Sequence, residues 1–149
     1  MRAVLQRVRE ASVTVDNTVT GRINQGLLIL FCAEQGDTDV EAKYFAQKIS
    51  KMRIFTDQNG RINLSVKEVG GKILVVSQFT LAANWKKGNR PGFSAAASPQ
   101  EGERLYELLC QSLEKEGLTV EKGIFGAHMD VRLLNDGPIT IIMDSKDSA

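Results

Sequence analysis

Over most of the chain apolar residues alternate with polar ones or gather in short blocks, and only two stretches show the three-and-four spacing of a helix. RAVLQRV at the start, SVTV and TVTGRI on either side of Asp16 and Asn17, and GLLILFCA are rich in β-branched residues and predict strands. The first helix opens at Thr38, whose hydroxyl can cap while Glu41 reaches back, and it carries Ala42, Phe45, Ile49 and Met52 on one face. That face should pack on a sheet. A hairpin follows in TDQNGRINL, where Asn59-Gly60 suits a two-residue turn, and KILVVSQFTLA then predicts a buried strand. NWKKGNRPGFSAAA is a polar loop. Ser98, Pro99 and Glu101 supply a cap, a first-turn proline and a capping-box glutamate for a second helix, with Leu105, Leu108, Leu109 and Leu113 as its apolar stripe. LTVEKGIF, MDVRLL and ITIIMD predict closing strands, and DSKDSA (144–149) a frayed end.

Composition narrows the picture. With 149 residues, 42% hydrophobic and 25% charged, the chain fits one globular domain with a real core, whereas two would be cramped. Nineteen basic and 18 acidic residues leave a formal net charge of +1, so a nucleic-acid partner has to be met by a local basic patch; a histone-like, DNA-wrapping mode is disfavoured. Cys32 and Cys110 sit in apolar contexts without the spacing of a zinc site or a disulfide framework, and read as buried thiols of a reducing compartment. MRAVLQRV lacks the apolar core of a signal peptide and no apolar run is long enough to span a bilayer, so a cytoplasmic protein without a membrane partner is expected. No Cys/His/Asp cluster has ligand spacing, and neither a metal nor an organic cofactor is expected.

Two places carry candidate chemistry. In SQFT a buried strand ends by presenting Ser77, Gln78 and Thr80 in quick succession; a polar strand end with satisfied hydroxyls has the same pattern. In LLNDGPIT, Asn135-Asp136-Gly137-Pro138 reads as a hairpin turn between apolar runs, yet a tight hairpin needs no proline after its glycine.

SQFTLAA, GNRPGFSAAASP, GIFGAHM and NDGPIT occur in that order, and on these motifs the chain resembles the D-aminoacyl-tRNA deacylases from its first strand to its last. That family pairs SQxT with NxGPxT, and both are matched at every fixed position; Gly92 departs from the RPSF pattern of the loop and bears only on loop contacts. The resemblance implies an α+β fold: a single domain whose β-barrel-like antiparallel or mixed sheet carries two packed helices. It implies a homodimer in which a cis Gly137-Pro138 bond enters the partner's site and its carbonyl oxygens face the amino acid. An X-Pro bond costs only about 0.5–1 kcal/mol to hold cis. Arg7 matches the arginine that fixes this loop, though as a strand residue it reads equally as an exposed one.

The implied reaction is hydrolysis of the ester that joins a D-amino acid to the 3′ end of tRNA, for chiral proofreading, with L-aminoacyl-tRNA excluded and glycyl-tRNA accepted. Within the two motifs no Ser-His pair exists, and His128, the only histidine, lies outside both and reads as a surface or strand residue. The resemblance points to assistance from the terminal 2′-hydroxyl, with backbone N–H groups near Gln78 and Phe79 at the oxyanion and Thr80 as a positioning group. An acyl-accepting Thr80 is the competing reading and lacks a base in the sequence. Asn135 and Thr140 belong to the second motif. Phe79, Phe125 and Met129 match positions lining the pocket for the terminal adenosine; as residue types they suit a core equally well. Lys86, Lys87 and Arg90 either touch tRNA phosphates or form a solvated loop, and Trp85 either stacks or packs. A homodimeric module that holds a tRNA end without turnover is the alternative, separated by a deacylation assay.

Overall fold

The computed structural model describes residues 1–147. Eight strands and two long helices follow in the order β1 (Arg2–Val15), β2 (Thr18–Ile23), β3 (Gly26–Cys32), α1 (Asp39–Lys51), β4 (Arg53–Thr56), β5 (Ile62–Ser65), β6 (Lys72–Ser77), α2 (Pro99–Lys115), β7 (Val120–Lys122) and β8 (Asp130–Asp144). β1 organises the sheet. One of its edges pairs antiparallel with β8 from Arg2 to Thr14, so β2 and β3, opposite residues 11–15 and 2–8, follow one another along the other edge. β3 pairs in parallel with β6, and β6 in parallel with β7. β2 then approaches β7: a β-carbon on Gly21 would lie 2.7 Å from the Lys122 carbonyl oxygen, and only glycine allows that contact. The result is a single domain with a nearly closed, mixed, barrel-like sheet and two helices on it.

The apolar blocks are explained by burial on both faces. Leu27, Ile29, Phe31, Ile73 and Val75 face the helices, where they meet Phe45, Ile49, Leu105, Tyr106 and Leu109. Leu28, Leu74 and Val76 face the other way and join Val8, Val13 and Ile23 in a second cluster. α1 is capped as its sequence predicts: Thr38 Oγ1 accepts from the Val40 N–H and Glu41 Oε2 accepts from the Thr38 N–H at 2.7 Å. In α2 Ser98 caps the Glu101 N–H and Pro99 starts the helix, but the Glu101 carboxylate is taken by the Arg104 guanidinium at 3.0 and 3.1 Å, so the reciprocal half of the box is missing.

Several expectations are corrected. RAVLQRV and SVTV are one strand, because β1 has a partner on both edges along nearly its whole length. The turn between β4 and β5 is longer than Asn59-Gly60: Asp57 N donates to Arg61 O at 2.8 Å, and the Asp57 carboxylate also accepts the Asn59 and Arg61 N–H groups. KILVVSQFTLA stops being a strand after Ser77, and Phe79–Ala82 is a 3-10 helix. LTVEKGIF contributes only Val120–Lys122. MDVRLL and ITIIMD are two halves of β8 on the same edge of β1, so Asn135–Pro138 reverses nothing. Of the stretch expected to fray, Asp144 closes β8 and Ser145 N donates to Met1 O at 2.9 Å, while 148 and 149 lie outside the described residues.

Candidate functional site

Ser77, the last residue of β6, stands opposite Phe31 in the parallel ladder, and Gln78 N donates to Phe31 O at 2.7 Å. With that bond made, the chain leaves the sheet and coils. Leu81 N donates to Gln78 O and Ala83 N to Thr80 O, each at 3.1 Å. The first N–H groups of such a turn have no acceptor within it, which leaves those of Phe79 and Thr80 without a partner inside the turn. Phe79 and Thr80 are exposed, and Gln78 Nε2 donates to Thr80 Oγ1. Among the described residues no histidine, lysine or carboxylate hydrogen bonds either Ser77 or Thr80, so neither hydroxyl has a base that could make it a nucleophile.

Two residues without a sequence signal of their own hold this turn. Arg2 Nη1 donates to Leu81 O at 2.7 Å while its Nε donates to Asp144 Oδ2 at 3.1 Å. Phe93, beyond the polar loop, packs edge-on against Phe79 with ring centroids 5.1 Å apart. Cys32 Sγ donates to Phe79 O at 3.5 Å; burial, with the nearby Glu34 charge, pushes its thiol up to about 11, so it stays protonated at neutral pH and is no nucleophile.

The second motif is an excursion from β8. Val8 faces Asn135 and Gln6 faces Thr140, so two steps along β1 correspond to five along β8, and residues 136–139 are pushed out of the ladder. The Gly137-Pro138 bond is cis, and Gly137 has φ +127. The excursion is clamped from below. Asn135 Nδ2 donates to both Arg7 O and Ile139 O at 3.0 Å, closing the gap. Arg7, buried, donates through Nε to Asp136 O and through Nη1 to Ile54 O, each at 3.0 Å. The Asp136 carboxylate lies 3.4 Å from Arg7 Nε and 3.5 Å from Arg9 Nε. Gly137 and Pro138 are exposed on this platform. Arg7 is thus a buried clamp, not an exposed strand residue.

The chain does not bring the two motifs together. The SQFT turn is tied to Arg2 and the Gly-Pro excursion to Arg7, and those anchors stand five steps apart on β1, about 16 Å. The remaining candidates divide between them. Phe125 is half-buried against Tyr106, with ring centroids 5.9 Å apart, and against Gly102 of α2. Met129 packs on Gly123 and Val13. Gly123 N bonds Val75 O, two residues before Ser77, so this segment belongs to the SQFT end. Thr140 lies at the Gly-Pro end, where Gln6 Nε2 donates to its Oγ1 at 3.4 Å. Lys86, Lys87 and Arg90 lie on an exposed loop whose neck is closed by Asn84 and Gly92, next to Phe93 and therefore next to Phe79. His128 is exposed and 3.8 Å from Asp130, in neither site.

Comparison with known proteins gives the family and the fold. A D-aminoacyl-tRNA deacylase of Dinoroseobacter shibae is 58% identical over 144 residues, 97% of this chain and 99% of that protein. A solved structure described as c-Myc DNA unwinding element binding protein superposes with a TM-score of 0.91 at 38% identity, covering 99% of this chain and all of that one. A probable eukaryotic D-amino acid tRNA deacylase, 21% identical, shares the fold with a TM-score of 0.80 over 95% of this chain and 97% of its own. The family model for D-Tyr-tRNA(Tyr) deacylase matches residues 4–144, which contain both motifs and every clamp described above except Arg2, and the chain belongs to that family.

Proposed function

We propose that the chain is an ester hydrolase that releases a free D-amino acid from D-aminoacyl-tRNA in the cytoplasm, acting as a homodimer with two sites, each built from the SQFT turn of one protomer and the Gly137-Pro138 excursion of its partner. The observation that carries the dimer is the separation of the two motifs along β1. A site needing both is incomplete in one chain. A suitable interface is at hand: among the described residues β8 pairs only with β1, and the strand exposes Leu133, Leu134 and, at 75%, Ile142.

In the composite site the carbonyl oxygens of Gly137 and Pro138 accept hydrogen bonds from the substrate's ammonium group. Water adds to the ester carbon, and the carbonyl oxygen becomes an oxyanion held by the N–H groups of Phe79 and Thr80. Gln78 N is not one of these donors, since Phe31 O already takes it. The proton lost by the water passes through the terminal 2′-hydroxyl to the 3′-oxygen as the C–O bond breaks, so no side-chain base is required. Gln78 orients Thr80, and Thr80 positions the substrate. Phe79 offers its exposed ring to the terminal adenosine, with Phe125 and Met129 supporting that end; Lys86, Lys87 and Arg90 meet phosphates.

Turnover of D-tyrosyl- and L-tyrosyl-tRNA by the purified protein tests the reading. The D ester should be cleaved and the L ester spared. Binding of the tRNA end without cleavage of either would make the chain a tRNA-end-binding module instead.

A further inference from the structure

We propose that Trp85 is a stacking platform for a base in the single-stranded 3′ end of the RNA, which makes the loop 84–92 a reader of single strands and not only a phosphate contact. The inference rests on the tRNA-end reading above and adds to it the residue that distinguishes an unpaired end from a duplex.

Trp85 is the only tryptophan of the chain and is 71% exposed. Its ring is not at the tip of a wandering loop. Asn84 and Gly92 exchange backbone hydrogen bonds at 2.7 and 2.9 Å, and Lys86 N donates to Asn84 Oδ1 at 3.2 Å, so the backbone on both sides of Trp85 is fixed. The neck is held in turn to the SQFT turn through Phe93 and Phe79. Trp85 follows Thr80 by five residues, a reach of at most about 17 Å, which keeps its ring within a few nucleotides of the ester.

The charge around it is one-sided. Lys86, Lys87 and Arg90 fall between Gln78 and Gln100, a stretch without an acidic residue, although the whole chain has a net charge of only +1. Among the described residues none of these three cations is in an ion pair. An exposed aromatic ring on a fixed backbone, flanked by unpaired cations, is the combination with which proteins hold single strands: bases stack on the ring and the cations follow the backbone. Bases inside a duplex already stack on one another and offer no free face.

Since the chain has no other tryptophan, its emission reports on this ring alone. An RNA hairpin with a single-stranded 3′ CCA end should quench the emission saturably, and a blunt hairpin of equal charge should leave it unchanged. Trp85→Ala should raise KM for D-tyrosyl-tRNA about tenfold at unchanged kcat, leave hydrolysis of D-tyrosyl-adenosine as it was, and be largely rescued by Trp85→Phe. Replacing Lys86, Lys87 and Arg90 by alanine should instead weaken both hairpins and flatten the salt dependence. Equal quenching by the two hairpins, or an equal effect of Trp85→Ala on the tRNA and adenosine esters, overturns the proposal. Failure of the unaltered protein to cleave either ester counts against the deacylase reading alone, because the fluorescence measurement needs no turnover.

Discussion

A β-carbon added to Gly137 would stand 3.0 Å from Nη2 of Arg7 and 3.1 Å from the Ile139 side chain. The guanidinium cannot retreat freely, because its other nitrogens are committed to Asp136 O and Ile54 O. Gly137 also has φ +127, a region where a side chain adds strain of about 1–3 kcal/mol. Gly137→Ala should therefore displace the excursion and lower kcat/KM for D-tyrosyl-tRNA by more than tenfold, while the barrel, which does not depend on residues 136–139, loses only a few degrees of Tm. Wild-type kinetics for this variant would mean that the placement of the two carbonyl oxygens is not critical.

The separation of the motifs leads to a mixing experiment. Phe79→Pro removes one of the proposed oxyanion donors and Pro138→Ala alters the excursion; in the proposed dimer each homodimer then has two damaged sites. A heterodimer has one doubly damaged and one intact site, so random mixing should restore about a quarter of wild-type activity, half the dimers each having one good site of two. Sites confined to single protomers would give no recovery above the two separate variants.

Much of this fold could be read from side-chain pattern. The cap at Thr38 and Glu41, the two-faced burial of GLLILFC and the stripe of α2 depend on neighbours a few residues away, and these lie where the spacing put them. The excursion at Asn135–Pro138 could not be read in this way. A turn that reverses the chain and a bulge that returns it to the same track use the same Asn, Asp, Gly and Pro, and the choice is made by β1, some 130 residues earlier, whose length accepts both halves of β8. The break after Ser77 was hidden for a similar reason: Phe79, Leu81 and Ala82 are apolar enough for a strand, but Gln78 N is spent on Phe31 and no further partner follows on β3. Arg2 gave no signal, since an arginine on a strand is ordinary until its partner at Leu81 is known.

If the 2′-hydroxyl relays the proton, Thr80→Ala should keep measurable turnover, losing no more than about tenfold, or roughly 1.4 kcal/mol of barrier. A substrate ending in 2′-deoxyadenosine should be cleaved far more slowly by the unaltered enzyme. Isolation of an acyl ester on Thr80 after rapid quenching would replace this mechanism by a covalent one.

Glu34 links acid stability to the neighbourhood of the SQFT turn. It is 2% exposed, and Oε2 accepts from the Met1 ammonium at 2.8 Å. Burial alone would raise its carboxyl, but the hydrogen bond and charge of that ammonium, with Arg2 and Lys146, outweigh burial and hold it below its ordinary 4.5. A carboxylate with a lowered folded pKa contributes stability that is complete above the unfolded value and is lost as pH falls through the folded one. Tm should accordingly fall below about pH 4.5 more steeply in the unaltered protein than in Glu34→Gln, which should already be less stable at pH 7 because it leaves the buried Met1 ammonium with one carboxylate, that of Asp37 at 2.6 Å, in place of two. Parallel acid profiles for the two proteins would remove Glu34 from the account.

Glycyl-tRNA gives the sharpest test of how the excursion chooses. In the proposed site Gly137 and Pro138 offer backbone to the substrate, and backbone carbonyls that hold the ammonium would fix the α-carbon without contacting a side chain. Selectivity then comes from closing off the direction in which an L side chain projects, since neither motif supplies a pocket that a D side chain must fill. An L residue either clashes or shifts its ester carbon away from the N–H groups of Phe79 and Thr80. A penalty of about 4 kcal/mol already gives roughly a thousandfold discrimination. Glycine has hydrogen in both directions, so it should enter and be hydrolysed, while L-alanine, larger by one methyl group, is refused. Single-turnover rates for glycyl-, D-alanyl- and L-alanyl-tRNA with one enzyme preparation decide the matter. Glycyl-tRNA as inert as L-alanyl-tRNA would require a positive contact to the D side chain, and exclusion by Gly137 and Pro138 would have to be abandoned.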